Sequence, residues 1–159
     1  MLERVLFVVT IAGGATLGVF WPLSRSETAA PTSALEMTLN RSADKHFYAN
    51  ANVNGHDIRF LVDTGASETA LTEEDARKAG IAIDPLQYEL LGQGASGIVR
   101  GQYVELKNIE LGGIHEKNAK AVVVQGATVS LLGQPFLESI DEIVIRKGQM
   151  VLRDKKDPS

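Results

Sequence analysis

Asn54-Gly55 stands between two stretches that alternate apolar and polar residues: Phe47, Ala49, Ala51 and Val53 before it, and the run from His56 to Val62 after it. Both residues of an Asn-Gly pair tolerate positive φ, which a two-residue hairpin turn requires. Flanking runs of period two lay one face of each strand against a core. The segment is therefore expected to be an antiparallel hairpin, and its neighbours repeat the pattern. Leu35, Met37 and Leu39 alternate with polar residues, and strands are expected over residues 88–91, 98–106, 108–111 and 119–124. Ile143, Ile145, Met150 and Leu152 flank Lys147-Gly148 as a last hairpin. Two short helices interrupt the strands. One is capped by Thr72, carries Glu73, Glu74 and Asp75 in its first turn and closes at Gly80; the other covers residues 134–140. The expected fold class is mainly β, a small closed β-barrel with one or two short helices.

Residues 5–23, VLFVVTIAGGATLGVFWPL, carry no charge. As a helix, nineteen such residues reach about 28 Å, roughly the hydrocarbon thickness of a bilayer. Trp21 stands at an interfacial position, and Arg4 with the amino terminus precedes the run, which favours a cytoplasmic N-terminus and export of the remainder. Residues 1–23 are thus expected to be one transmembrane anchor contacting the membrane through residues 5–23. A cleaved signal peptide is the rival reading, against which stand the length of the run and the distant small-residue site near Thr28-Ala29-Ala30. Gly14 and Gly18 have the spacing of helices that pair in membranes, a weak sign because glycine is common there. Residues 24–34, polar and broken by Pro31, read as a flexible linker, residues 35–154 as the folded domain and residues 155–159 as a polar tail.

Several chemistries are excluded. Sixteen Lys and Arg against twenty Asp and Glu give a net charge of −4 with no basic cluster, so a nucleic-acid partner is not expected. With no cysteine there is no disulfide, thiol nucleophile or thiolate zinc site. His46, His56 and His115 share no ligand spacing, Glu73-Glu74-Asp75 reads as a helix start, and neither metal nor cofactor is expected. Residues 92–97 match the GxGxxG fingerprint, but a dinucleotide site needs a helix next, and Ile98 opens a strand-like run. The better reading is a mobile hairpin tip formed by Gly94, Ala95, Ser96, Gly97 and Ile98. Ser96 is not a nucleophile elbow, because residue 98 is isoleucine and not the second glycine.

The segment Leu61-Val62-Asp63-Thr64-Gly65-Ala66-Ser67 delivers an acid from an apolar strand straight into a turn of small residues. A carboxylate at the tip of a rigid strand can activate a water. Gly65 permits a close turn and leaves its amide to the carboxylate, the Thr64 hydroxyl can bond across a dimer axis, and that of Ser67 can steady the acid from outside. An Asp-[Ser/Thr]-Gly triplet occurs by chance in about one chain in fifteen of this length and is ordinary turn chemistry. The flanking residues, and Leu131-Leu132-Gly133 further along, make the pattern more specific.

Together, LVDTGAS and LLGQPFL with a glycine-rich hairpin between them resemble the retropepsin-like aspartic proteases, and more narrowly a bacterial group with one N-terminal membrane segment and a single such domain facing the periplasm. The resemblance covers about residues 35 to 154. It implies Asp63 as the catalytic acid, Thr64 and Gly65 as its supporting triplet, Gly133 as packing beneath the active-site loop, and residues 94–98 as a flap. Gln134-Pro135 departs from the family pattern, which often places there a polar side chain bonded to the catalytic loop. The chain has one Asp-[Ser/Thr]-Gly where two carboxyls are needed, one as base and one as acid. A homodimer sharing two copies of Asp63 follows. The expected activity is hydrolysis of an extended polypeptide from an exported or membrane protein, with the chain in a bacterial inner membrane as a single-pass protein and its domain in the periplasm. The alternative is a peptide-binding or dimerisation module of the same fold, which would have no need of an acid at that turn.

Overall fold

The computed structural model describes residues 35–94 and 97–155. The expected membrane segment, the linker, Ala95, Ser96 and residues 156–159 lie outside them. Among the described residues no helix is long and apolar enough to cross a membrane.

Strands β2 (Tyr48–Val53) and β3 (His56–Val62) form the hairpin. Asn54 and Gly55 take φ of 53° and 92°, the paired positive values that the turn demands. Ala49, Ala51 and Val53 on one strand and Ile58 and Phe60 on the other face the core. Chain order continues through β4 (Ala70–Thr72), helix α1 (Glu73–Lys78), a 3₁₀ turn over Pro85–Gln87, β5 (Glu89–Gly94), β6 (Gly97–Leu111), β7 (Ile114–Val124), β8 (Ser130–Leu132) and helix α2 (Gln134–Leu137). Seven strands join in the order β2-β3-β8-β4-β7-β6-β5, and a further pairing of β2 with β6 brings the sheet back on itself. Asn52 pairs with Glu110 and Val53 with Ile109 along that seam. The closure makes a barrel of β2, β3, β8, β4, β7 and β6, with β5 left outside as the free arm of a hairpin.

Strand β1 (Leu35–Asn40) belongs elsewhere. With β9 (Glu142–Arg146) and β10 (Gln149–Asp154) it forms a separate antiparallel sheet in the order β1-β10-β9. Lys147 and Gly148 make the β9–β10 turn with φ of 49° and 79°. Met150 and Leu152 from this sheet join Phe60, Leu71, Leu106, Ile109, Leu132 and Phe136 in one continuous core. Each such side chain contributes about 1.5–3 kcal/mol when fully buried.

The structure redraws several expected boundaries. Residues 98–106 and 108–111 form one strand, β6, paired in unbroken register with β7 from Gly101↔Val124 to Leu111↔Ile114. Strand β7 begins at Ile114 and not at residue 119. The second helix stops at Leu137, short of residue 140. Helix α1 is as expected: the Thr72 hydroxyl accepts the Asp75 amide at 3.0 Å, and Gly80 follows with φ of 68°.

Candidate active site

Asp63 leaves the end of β3 because β3 runs parallel to β8, with Leu61 opposite Leu131 and Val62 opposite Leu132. The ladder carries one bond past the strand, the Asp63 amide donating to the Leu132 carbonyl at 3.0 Å. The backbone then turns, with the Ala66 amide donating to the Asp63 carbonyl at 3.2 Å. The Gly65 amide donates to Asp63 Oδ1 at 2.9 Å. Asp63 Oδ2 has no hydrogen-bond partner among the described residues. The half-buried carboxyl thus has one oxygen fixed by the turn and one left for chemistry.

Gly133 supports this loop from below. A Cβ there would stand 2.2 Å from the Glu68 carbonyl oxygen and 3.0 Å from that of Ala66, both backbone atoms with no freedom to retreat. Only glycine fits. The next residue ties the two segments together: the Gln134 amide donates to the Ala66 carbonyl at 2.9 Å, and Gln134 Nε2 donates to the Thr64 carbonyl at 2.6 Å. The departure from the family pattern at Gln134-Pro135 therefore leaves the loop supported. Pro135 lies in the first turn of helix α2, where its missing N–H costs nothing. The Thr64 and Ser67 side chains are exposed, and neither hydroxyl bonds to Asp63.

The β5–β6 hairpin arches over the same loop. A cleft of about 470 Å³ lies between them, with Gly65, Ala66 and Ser67 on one side and Leu91, Gly94 and Val99 on the other. Gly94 pairs with Gly97 at the tip. Gly97 has φ of 121°, and Ile98 beside it is 74% exposed. Ala95 and Ser96 lie outside the described residues. The hairpin's base is anchored by Tyr88, whose hydroxyl donates to Glu73 Oε1 at 2.6 Å and whose carbonyl accepts from Arg100 Nη2 at 3.3 Å. Burial, with the Glu73 carboxylate second, pushes the Tyr88 phenol up to about 12.

One further network was not foreseen from the sequence. Ser130 is buried; its hydroxyl donates to Asp75 Oδ2 at 2.6 Å and accepts the Thr72 amide at 3.0 Å. It joins the start of α1 to β8, one residue before the strand pair that positions Asp63.

The family model for gag-polyprotein putative aspartyl protease matches residues 49–139. The chain belongs to the retropepsin-like aspartic protease family. Its structure is similar to that of a retropepsin-like aspartic protease from Rickettsia conorii, with a TM-score of 0.63 and 36% identity, covering 76% of this chain and 90% of that one. The retropepsin-like fold is shared more distantly with the EIAV protease complexed with the inhibitor HBY-793, at a TM-score of 0.50 and 21% identity over 61% of this chain and 89% of that one. An uncharacterized protein of Rickettsia prowazekii is 39% identical over 122 residues, 76% of this chain and 52% of its own length. The chain spans about half the length of the curated relatives it matches.

Proposed function

We propose that this retropepsin-like chain is an aspartic endopeptidase whose active centre is a dyad of two Asp63 carboxyls, one from each copy in a homodimer. The observation that carries the reading is the state of Asp63 itself: Oδ1 is held by the Gly65 amide and Oδ2 is unbonded among the described residues, in a turn whose Gly65, Ala66 and Ser67 line a cleft facing a glycine-rich hairpin. In the dyad, the ionised carboxylate takes a proton from a water, whose oxygen attacks the scissile carbonyl carbon. The protonated partner carboxyl gives its proton to the carbonyl oxygen. Collapse of the tetrahedral species breaks the C–N bond, and the amine leaves with a proton from the dyad. An extended substrate segment fits the cleft by hydrogen-bonding to strand edges, as in strand addition. The uncharged run at residues 5–23 supports an inner-membrane anchor with the domain in the periplasm, facing exported or membrane proteins.

The test is Asp63→Asn. The amide is nearly isosteric and cannot act as base, so the variant should keep the wild-type circular dichroism spectrum and lose cleavage of an unfolded protein by about a thousandfold or more. A folded Asp63→Asn protein that cleaves at the wild-type rate sinks the mechanism.

A further inference from the structure

Of the described residues that line the cleft beside the Asp63 loop, Glu68 alone carries a charge. Its backbone is fixed from two sides. Gly133 packs so closely on the Glu68 carbonyl that no Cβ fits between them, and the next residue, Thr69, accepts the Val122 amide at 2.9 Å. Val122 in turn pairs with Tyr103 across β6 and β7. These contacts bring Glu68 and Tyr103 together at one border of the cleft. Both residues also line an adjoining hollow of about 490 Å³, whose other walls are Val104, Glu105 and Lys120.

The charge in that hollow does not balance. Glu105 and Lys120 are register partners on neighbouring strands, so their charges offset each other. Glu68 has no such neighbour. It is half-buried, and its carboxylate makes no hydrogen bond and no ion pair among the described residues. A carboxylate drawn partly out of water and left without a partner favours the arrival of a cation. Tyr103, 53% exposed, supplies an aromatic wall at the same place. A carboxylate beside an aromatic wall suits a long cationic side chain, which lays its methylenes along the ring and its head at the acid. An acidic side chain would be repelled by Glu68, and an apolar one would leave it unpaired.

We propose that Glu68 and Tyr103 set substrate choice: the enzyme favours polypeptides that place a lysine or arginine side chain in this hollow while the adjoining backbone lies in the cleft. The inference rests on the aspartic-endopeptidase reading and names the class of substrate for that site.

The test begins with the full chain in detergent digesting a reduced, unfolded protein, with the cut sites read by mass spectrometry. Lysine and arginine should be enriched at one fixed distance from the cut, and Asp63→Asn prepared in the same way should give no such cuts. Two peptides are then built on a cut site, carrying lysine or uncharged norleucine at that distance. Wild type should prefer the lysine peptide by about tenfold or more in kcat/KM, the scale of a hydrogen bond to a charged group. Glu68→Gln should bring the ratio close to one, and Glu68→Lys should favour a glutamate peptide over the lysine one. General damage to the site would slow both peptides and keep the ratio. Cuts without basic enrichment, or a ratio that survives Glu68→Gln, overturn the specificity and leave the endopeptidase standing. Cutting that persists in Asp63→Asn, or a wild type that cuts nothing, overturns the endopeptidase and the specificity with it.

Discussion

Gln134 Nε2 donates to the carbonyl oxygen of Thr64 at 2.6 Å, linking the first residue of helix α2 to the middle residue of the Asp63-Thr64-Gly65 turn across seventy positions of sequence. The bond holds the turn from outside, whereas the Gly65 amide holds it from within.

Gln134→Ala removes that outer support and nothing in the core. Because Gln134 is exposed, the expected stability loss is small, about 0.5–1.5 kcal/mol. Activity should suffer more, with kcat falling about tenfold as Asp63 is less firmly placed. Steady-state kinetics alongside urea unfolding distinguish the two effects. Unchanged kcat would show that the Gly65 amide suffices.

Gly133→Ala should be much worse. The new methyl meets the Glu68 carbonyl oxygen at 2.2 Å, so the Asp63 loop or β8 must move. Overpacking of this kind costs about 1–3 kcal/mol, and here the displaced atoms belong to the active-site loop. The expected result is a lower thermal midpoint and loss of cleavage in the fraction that remains folded. Wild-type activity would mean that the loop yields without moving the acid.

The hairpin tip offers a separate test. Gly97 has φ of 121°, where a β-branched side chain is strained, and a Cβ on Gly94 would press on Val99 at 3.1 Å. Replacing both with valine should stiffen or displace the tip and lower turnover about tenfold or more without disturbing the barrel. Peptide hydrolysis and the thermal midpoint report the two separately, and unaltered hydrolysis would reduce the hairpin to a surface loop.

Alkaline pH should loosen the hairpin's base. The Tyr88 phenol is raised to about 12 from an ordinary value near 10, chiefly by burial. A group whose pKa is raised on folding adds stability that is complete below the unfolded value and disappears as pH climbs through the folded one. Stability should therefore hold to about pH 9 and fall between about 10 and 12, by up to roughly 2–3 kcal/mol. Tyr88→Phe should remove that increment while the remaining alkaline decline persists. Denaturant titrations across this range measure it, and identical slopes for the two proteins would discount the Tyr88–Glu73 bond.

Local chemistry was readable and distant pairing was not. The turn at Asn54-Gly55, the Thr72 cap and the Lys147-Gly148 hairpin each depend on residues adjacent in the chain, and all three stand as the sequence suggested. Lys107 reads as a break between two strands, yet β6 passes through it because β7 supplies partners on either side of it. Strands β4 and β8, three residues each, are too short to show a period and exist through neighbours remote in sequence. At the site, the Asp63 triplet announced itself, but the bonds from Gln134 and from Ser130 to Asp75 span 70 and 55 positions. Gln134 drew notice only as a departure from a pattern. Asp75 was readable as a helix-start acid and gave no sign of its buried bond.

The parallel pairing of β3 with β8 has a consequence for synthesis. A ribosome adding about 5–20 residues per second finishes the β2–β3 hairpin several seconds before Leu132 exists. Until then the Asp63 amide lacks its acceptor, and the loop lacks Gly133 beneath it and Gln134 beside it. A nascent chain, or one truncated before β8, carries the triplet without the scaffold that aims it. The Asp63 triplet is thus aimed only once β8 has been made, after most of the strands that surround it.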